Sequence, residues 1–97
     1  MTPVVVLAEA EDDVRDVRAW YAERDEELAE DFLQEFEKTI ALIADGPRTF
    51  AVVHRMVRRA LLRRFPYCVF FDVKSDVIEV LALFHAHRNP QAWRSRI

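Results

Sequence analysis

The sequence predicts an α+β fold in which two helices pack on one face of an antiparallel β-sheet, in the order β-α-α-β-β-β. Two segments between residues 10 and 43 repeat apolar residues at helical spacing, and short β-branched or apolar runs precede and follow them. The only glycine, Gly46, is followed by Pro47 and separates the helical part from the later strands. One sheet with both helices on the same face buries both apolar stripes.

Length and composition predict a single domain that covers residues 1–97. Of the 97 residues, 52% are hydrophobic and 32% are charged, which excludes a disordered or low-complexity chain. The one cysteine, Cys68, excludes an intramolecular disulfide framework. The start of the chain turns acidic too early for a signal peptide, and the apolar run Val80–Phe84 is far too short to span a bilayer. We therefore expect a soluble, cytoplasmic protein without a membrane partner.

The first half of the chain predicts a strand followed by a helical pair. Residues 3–7 are β-branched and short, which favours a strand, and residues 10–24 have helical periodicity with acidic residues in the first turn. Asp25 is expected to cap a second helix. The apolar stripe of that helix comprises Leu28, Ala29, Phe32, Leu33, Phe36, Ile40 and Ile43. Gly46 is expected to end it in a left-handed conformation, and Pro47 prevents continuation.

The second half predicts three strands and a short helix. Residues 56–65 are expected to form one strand, although their pattern does not alternate cleanly. Residues 67–73 and 77–84 flank the turn sequence Lys74-Ser75-Asp76, which is typical of a hairpin. Asn89 and Pro90 end the last strand, and residues 91–96 favour a short helix with the proline at its first turn.

The net charge of −3 hides a strong asymmetry along the chain. Residues 1–46 hold 14 Asp or Glu against 4 Arg or Lys, a net charge of −10, whereas residues 47–97 hold 3 against 10, a net charge of +7. The second half is therefore expected to face something anionic. Nucleic acid, an acidic partner and the protein's own acidic helices all fit this pattern.

His85 and His87 stand two residues apart at the end of the last predicted strand, which would place them on one face. Zinc needs three or four ligands, and only His54, Cys68 and scattered carboxylates remain to complete such a set. We therefore expect no metal and, since one glycine cannot build a phosphate loop, no nucleotide cofactor. The two histidines then have either a structural role or a role in proton transfer.

Two arginine doublets, Arg58-Arg59 and Arg63-Arg64, fall in the predicted strand 56–65. Alternation would place Arg59 with Arg63 on one face and Arg58 with Arg64 on the other. A face of arginines beside the histidines and Arg88 would bind phosphate well. The alternatives are solvated arginines or contacts to a partner protein. Cys68 is expected to be a buried, unreactive thiol, and Trp93 to cover the end of the core.

Several stretches together resemble the ParE/RelE superfamily of toxins from type II toxin–antitoxin systems, most closely the ParE-like plasmid stabilisation branch. They are the acidic first helix with its Ala-Trp-Tyr, the segment LAEDFLQEFEKTIALIADGP, RRALLRRFPYCVFFDV, and IEVLALFHAHRNPQAWR, where Asn89 replaces the aspartate of many members. The resemblance implies the βααβββ fold. It also implies a cytoplasmic, growth-inhibiting toxin, a cognate antitoxin that neutralises it, and promoter DNA bound only through the antitoxin complex.

The target implied by the resemblance depends on the branch. ParE-like members inhibit DNA gyrase, whereas RelE-like members cleave mRNA on the ribosome, with an arginine where this chain has Cys68 and a tyrosine near Trp93. Arg59 or Arg63 and His87 match the other basic positions of those nucleases loosely. We therefore expect gyrase inhibition without catalysis. The alternatives are a ribosome-dependent, metal-independent mRNA endoribonuclease, or a degenerate, non-toxic partner of the antitoxin.

Two sets of candidate site residues follow from these expectations. The candidates for catalysis, should the protein be an enzyme, are Arg59, Arg63, His85, His87 and Arg88. The candidates for antitoxin or target binding are Arg58, Arg59, Arg63, Arg64, Arg88 and Trp93.

Overall fold

The computed structural model describes residues 1–97 as a five-stranded sheet with two long helices on one face. The strands are β1 (Val4–Val6), β2 (Val52–His54), β3 (Val57–Leu61), β4 (Tyr67–Val73) and β5 (Ile78–His85). The helices are α1 (Ala8–Ala22), α2 (Glu26–Asp45) and α3 (Pro90–Arg94), and a 3₁₀ turn covers Pro47–Thr49. None of the three α-helices is both long enough and apolar enough to span a bilayer.

The strand order β1-β5-β4-β3-β2 confirms the predicted α+β fold class, with two differences in the sheet. The pair β1–β5 is parallel and the other three pairs are antiparallel, so the sheet is mixed. Strand β2 was not expected. It joins β3 through a tight turn in which Arg55 has a φ of 54°. Because Gly, Asn or Asp normally marks such a turn, the sequence carries no signal for it.

The predicted cap of α2 is confirmed, since the side chain of Asp25 accepts a hydrogen bond of 3.0 Å from the backbone N–H of Glu27. The predicted left-handed conformation of Gly46 is wrong, because its φ is −152°. The chain leaves α2 instead through the 3₁₀ turn, where the hydroxyl of Thr49 donates to the carbonyl of Gly46 at 2.7 Å. A side chain thus satisfies a carbonyl at the end of this segment, and no left-handed residue is needed.

Strand β3 is shorter than predicted and ends at Leu61. Leu62 leaves the ladder and donates its backbone N–H to the carbonyl of Tyr67 at 2.9 Å, which closes a tight loop. Residues 62–66 are therefore irregular, and the expectation of one strand over residues 56–65 is wrong at both ends. Strand β4 has the predicted bounds. The turn that follows it is closed by the backbone N–H of Lys74, which donates to the carbonyl of Val77 at 2.8 Å.

The sheet separates two apolar cores. The larger core, with 15 buried residues, lies between the sheet and the pair α1–α2, and includes Phe32, Ile43 and Phe71, each with no exposed surface. The smaller core lies on the opposite side, which we call the second face of the sheet. It comprises Val57, Cys68, Phe70, Ala82, Phe84 and Trp93. Side chains of a strand alternate between faces, so Val69 and Phe71 serve the first core and Cys68 and Phe70 the second.

Candidate functional site

The second face has an aromatic centre that α3 covers. The ring of Trp93 stacks on Phe70 at 4.8 Å, and Phe70 lies 6.1 Å from Phe84 on the neighbouring strand. All three side chains are buried, with exposed fractions of 7, 2 and 8%. The prediction that Trp93 covers the end of the core is thereby confirmed. Stacked and buried rings make this centre rigid.

Three arginines surround this aromatic centre. Arg59 is the direct cross-strand neighbour of Phe70, and alternation from Val57 places its side chain on the second face. The guanidinium of Arg88 lies 5.5 Å from the Phe84 ring, and that of Arg94 lies 5.3 Å from the Trp93 ring. All three are exposed, and none has a carboxylate oxygen within ion-pair distance. They form a set of free cations on a rigid apolar support, which suits an anionic partner.

The two arginine doublets divide only partly as predicted: Arg58 and Arg64 share a side, as expected, but Arg63 joins them. Arg58 points to the helix side, where its guanidinium donates to the carbonyl of Phe50 at 2.6 Å. Arg64 lies on that side as well, 3.5 Å from the carboxylate of Asp31 on α2. Arg63 lines the same region beside α2. The expectation that Arg59 and Arg63 share a face is wrong, because β3 ends at Leu61 and alternation stops there.

His85 and His87 come together, but not through strand alternation. Strand β5 ends at His85, and the chain turns so that the backbone N–H of His87 donates to Nδ1 of His85 at 3.1 Å. The ring centres lie 5.6 Å apart, and both side chains are exposed. Since Nδ1 accepts, the neutral ring of His85 carries its proton on Nε2. That nitrogen is free to donate a hydrogen bond to a bound group.

A cleft of about 510 Å³ between α1 and the end of β5 contains both histidines. Asp13, Asp16, Tyr67 and Arg88 also line it, and the Tyr67 ring lies 5.3 Å from that of His85. Burial raises the pKa of Tyr67, while the positive charge of Arg88 opposes the increase. Tyr67 is therefore a neutral hydrogen-bond donor near pH 7. The cleft could bind an anion between Arg88 and the histidines, and it could transfer a proton through His85.

Cys68 lies on the second face with an exposed fraction of 2%. Burial raises the pKa of its thiol, and the charge of Arg59 opposes this effect. The thiolate is therefore disfavoured at neutral pH, which agrees with the expected unreactive thiol. No group of three or more His, Cys, Asp and Glu side chains lies close enough together to hold a metal ion.

The charge asymmetry along the chain is only partly satisfied within the molecule. Of the ten Arg and Lys residues after Gly46, three form ion pairs, namely Arg64, Lys74 and Arg96. The other seven have no carboxylate partner. The protein's own acidic helices therefore do not pair with most of the basic half.

Two contributors to the second face were not among the candidates from sequence. Arg94 borders the aromatic centre, and His54 lies 6.1 Å from the Trp93 ring, edge to face. Arg94 directly follows Trp93 in the sequence, but only the packing of α3 shows that Arg94 borders the sheet. His54 was considered only as a possible zinc ligand, because its strand was itself not foreseen.

Comparisons with known proteins agree with this architecture. A family model described as the ParE toxin of the type II toxin–antitoxin system, parDE, matches residues 4–90. A solved structure of the chromosomal ParDE TA system from P. aeruginosa superposes with a TM-score of 0.80 and 20% sequence identity, covering 90% of this chain and 98% of that one. At this identity the likeness shows the fold. No curated protein sequence matches the chain.

Proposed function

The chain belongs to the ParE toxin family of type II toxin–antitoxin systems, and on this premise we propose that it inhibits growth through DNA gyrase. A cognate antitoxin neutralises it, and promoter DNA is bound only through the toxin–antitoxin complex. Gyrase acts on DNA in the cytoplasm, so the toxin works there. The proposed target-binding residues are Arg59, Arg88 and Arg94, with Trp93 as the rigid support beneath them.

The observation that carries the proposal is the composition of the second face. Its arginines are free and exposed, yet its centre consists of buried groups without proton-transfer chemistry. Cys68 stands where the nuclease branch is expected to have an arginine, and its thiol is buried. The indole of Trp93 stacks on Phe70, and its N–H is a hydrogen-bond donor that does not ionise in the working pH range and so cannot protonate a leaving group. Such a face is suited to binding an acidic protein surface rather than to cleaving a phosphodiester.

The test is a supercoiling assay with purified gyrase and purified toxin. We expect inhibition at micromolar toxin, and loss of inhibition when equimolar antitoxin is added. Arg59→Ala and Arg94→Ala should each weaken inhibition. The matched control is Arg15→Ala, which removes an exposed arginine from α1 on the acidic helical side. Full supercoiling at all toxin concentrations would exclude gyrase as the target.

The cleft around the histidines supports a second candidate, a ribosome-dependent, metal-independent mRNA endoribonuclease. His85 would serve as general acid or base, and Arg88 would stabilise the transition-state phosphate. Primer extension on translated mRNA should then show new 5′ ends that disappear in His85→Ala. Intact transcripts during growth arrest exclude this candidate. A chain that causes no growth defect when expressed without antitoxin would instead be a degenerate, antitoxin-binding partner.

A further inference from the structure

Strand β1 is one edge of the sheet, and no strand lies on its outer side. In the parallel ladder with β5, the carbonyl of Pro3 accepts the backbone N–H of Ile78 at 2.9 Å. Because alternate residues of a strand bond to the same neighbour, Val5 faces β5 as well, and the backbone N–H and C=O groups of Val4 and Val6 point outward. These groups have no ladder partner, so the edge can accept a further strand.

The β1 edge lacks the features that normally keep an exposed edge from pairing with another chain, which are a charge, a proline or a bulge on the outer side. Strand β2, at the opposite edge, has an irregular register and is followed directly by Arg55. Residues 1–7 contain no charged side chain, and Val5 has an exposed fraction of 46%. Pro3 does not protect the edge, since its missing N–H belongs to the side that faces β5.

An apolar groove of about 730 Å³ lies between β1 and α2. Phe36, Ile40 and Ala44 of α2 line it, and Glu37 is its only charged residue. The backbone N–H of Thr2 donates to the carbonyl of Ala44 at 3.2 Å, which holds the segment before β1 against α2 and fixes the edge in place. With a single charge, the groove cannot select a partner by charge. Its complement is an uncharged, extended strand with apolar side chains.

The edge is complementary to itself. In an antiparallel pairing about a two-fold axis at Val5, the outward N–H and C=O of Val4 meet those of Val6 in a second copy, and Val6 meets Val4 in the same way. Every outward group of both edges is then paired. Val4 and Val6 pack on the core beneath the helices, so Val5 lies on the second face. The axis places it directly opposite Val5 of the second copy, which covers an exposed apolar side chain.

We propose that two copies of this chain pair through β1, so that their five-stranded sheets join into one. The axis runs perpendicular to the sheet, so the helix pairs of both copies lie on one side and both second faces lie on the other. Arg59, Arg88 and Arg94 of the two copies then belong to one two-fold symmetric cationic surface. This inference goes beyond the proposed function, because it depends on neither the target nor the antitoxin.

Sedimentation equilibrium of the purified full chain measures the pairing. We expect a mass of twice 11.4 kDa at about 100 µM chain, where a dimer with a micromolar dissociation constant is nearly complete. Val5→Lys should reduce the mass to that of one chain, because two like charges would lie directly opposite each other. The matched control is Val52→Lys on the other edge strand, where the valine has an exposed fraction of 48%. This control should leave the dimer intact.

Crosslinking tests the register of the pairing. Val5→Cys should form a disulfide between two copies in oxidised glutathione, because directly opposite residues of an antiparallel pair have Cα atoms about 4.5 to 5.5 Å apart, within the range of a disulfide. Cys68 does not compete, since its exposed fraction is 2%. Val52→Cys, the matched control, should stay uncrosslinked at the same concentration.

A wild-type mass of one chain would overturn the inference, and so would a Val5→Cys chain that stays uncrosslinked. Equal dissociation by Val5→Lys and Val52→Lys would show that the dimer does not form through β1. A monomeric wild type whose binding to purified cognate antitoxin is weakened by Val5→Lys would assign the edge to the antitoxin instead. The masses are measured without gyrase, so a negative supercoiling assay refutes the proposed function and leaves the dimer unaffected.

Discussion

Asp13 near the start of α1 and Arg96 beyond α3 form a two-point ion pair, with Nη1–Oδ1 at 2.8 Å and Nη2–Oδ2 at 2.7 Å. Asp13 also accepts the backbone N–H of Leu83 at 3.0 Å, and Arg96 approaches the carbonyl of Leu81 at 3.3 Å. Strand β1 ends at Val6, so the edge of β5 beyond Val80 has no neighbouring strand. The ion pair therefore satisfies backbone groups that the sheet leaves open.

The first prediction concerns this pair. Asp13→Asn or Arg96→Met should lower the free energy of unfolding by about 1–3 kcal/mol, because each leaves a partly buried charge without its partner. The double variant should lose less than the sum of the two. The matched control, Asp12→Asn, breaks an exposed pair with Arg15 and should cost about 0.5 kcal/mol or less. Urea unfolding measures all four, and additive losses would show that the pair does not act as a unit.

The second prediction concerns the docking of α3. Trp93→Ala should lower the free energy of unfolding by about 3 kcal/mol or more, because a buried ring stacked on Phe70 is removed. Trp93→Phe should recover part of the loss. Iodide quenching provides an independent check, since Trp20 has an exposed fraction of 49% and Trp93 only 7%. Equal quenching of the two tryptophans would contradict the packing of α3 on the sheet.

The third prediction concerns stability at high pH. Burial raises the pKa of Tyr67 and of Tyr21 above the ordinary value of 10.0. The folded protein therefore holds these protons where the unfolded chain has lost them, so the stabilisation is complete below about pH 10 and is lost as the pH rises through the folded values. Cys68 adds a loss of the same sign above its ordinary pKa of 9.0.

Thermal midpoints between pH 8 and pH 11 test this dependence. They should fall on the alkaline side for the wild type, and fall less steeply for Tyr67→Phe, which cannot ionise. Arg88→Ala should make the alkaline loss caused by Tyr67 larger and extend it to higher pH, because the charge of Arg88 lowers only the folded pKa of that phenol and its removal widens the gap to the unfolded value. An alkaline slope that Tyr67→Phe leaves unchanged would assign the effect to other groups.

The fourth prediction separates two adjacent arginines. Arg59→Ala should change the free energy of unfolding by no more than about 0.5 kcal/mol, since its side chain is exposed and unpaired, yet it should weaken toxicity. Arg58→Ala should lower the free energy of unfolding by about 1 kcal/mol, because it removes the bond to the carbonyl of Phe50. Growth assays and urea unfolding on both variants form the comparison. Toxicity that follows stability alone would argue against a binding role for Arg59.

Some elements of this fold are predictable from local sequence and others are not. Strand β4 and the cap at Asp25 followed from local chemistry, because alternation and a capping carboxylate act within a few residues. Strand β2 could not be foreseen, since its turn relies on a left-handed arginine, Arg55, that only the hairpin pairing stabilises. The face of Arg63 was missed for a related reason, because β3 ends at Leu61, where loop hydrogen bonds compete with the ladder.

The sequence by itself determined the fold class, the order of the elements, the charge asymmetry and the family, because periodicity and composition are properties of neighbouring residues. Only the tertiary structure decided which arginines are free and that Trp93 stacks on Phe70 beneath them. It alone joined Asp13 to Arg96 across the length of the chain. Such relationships depend on side chains that meet through packing, and no local pattern encodes the distance between them.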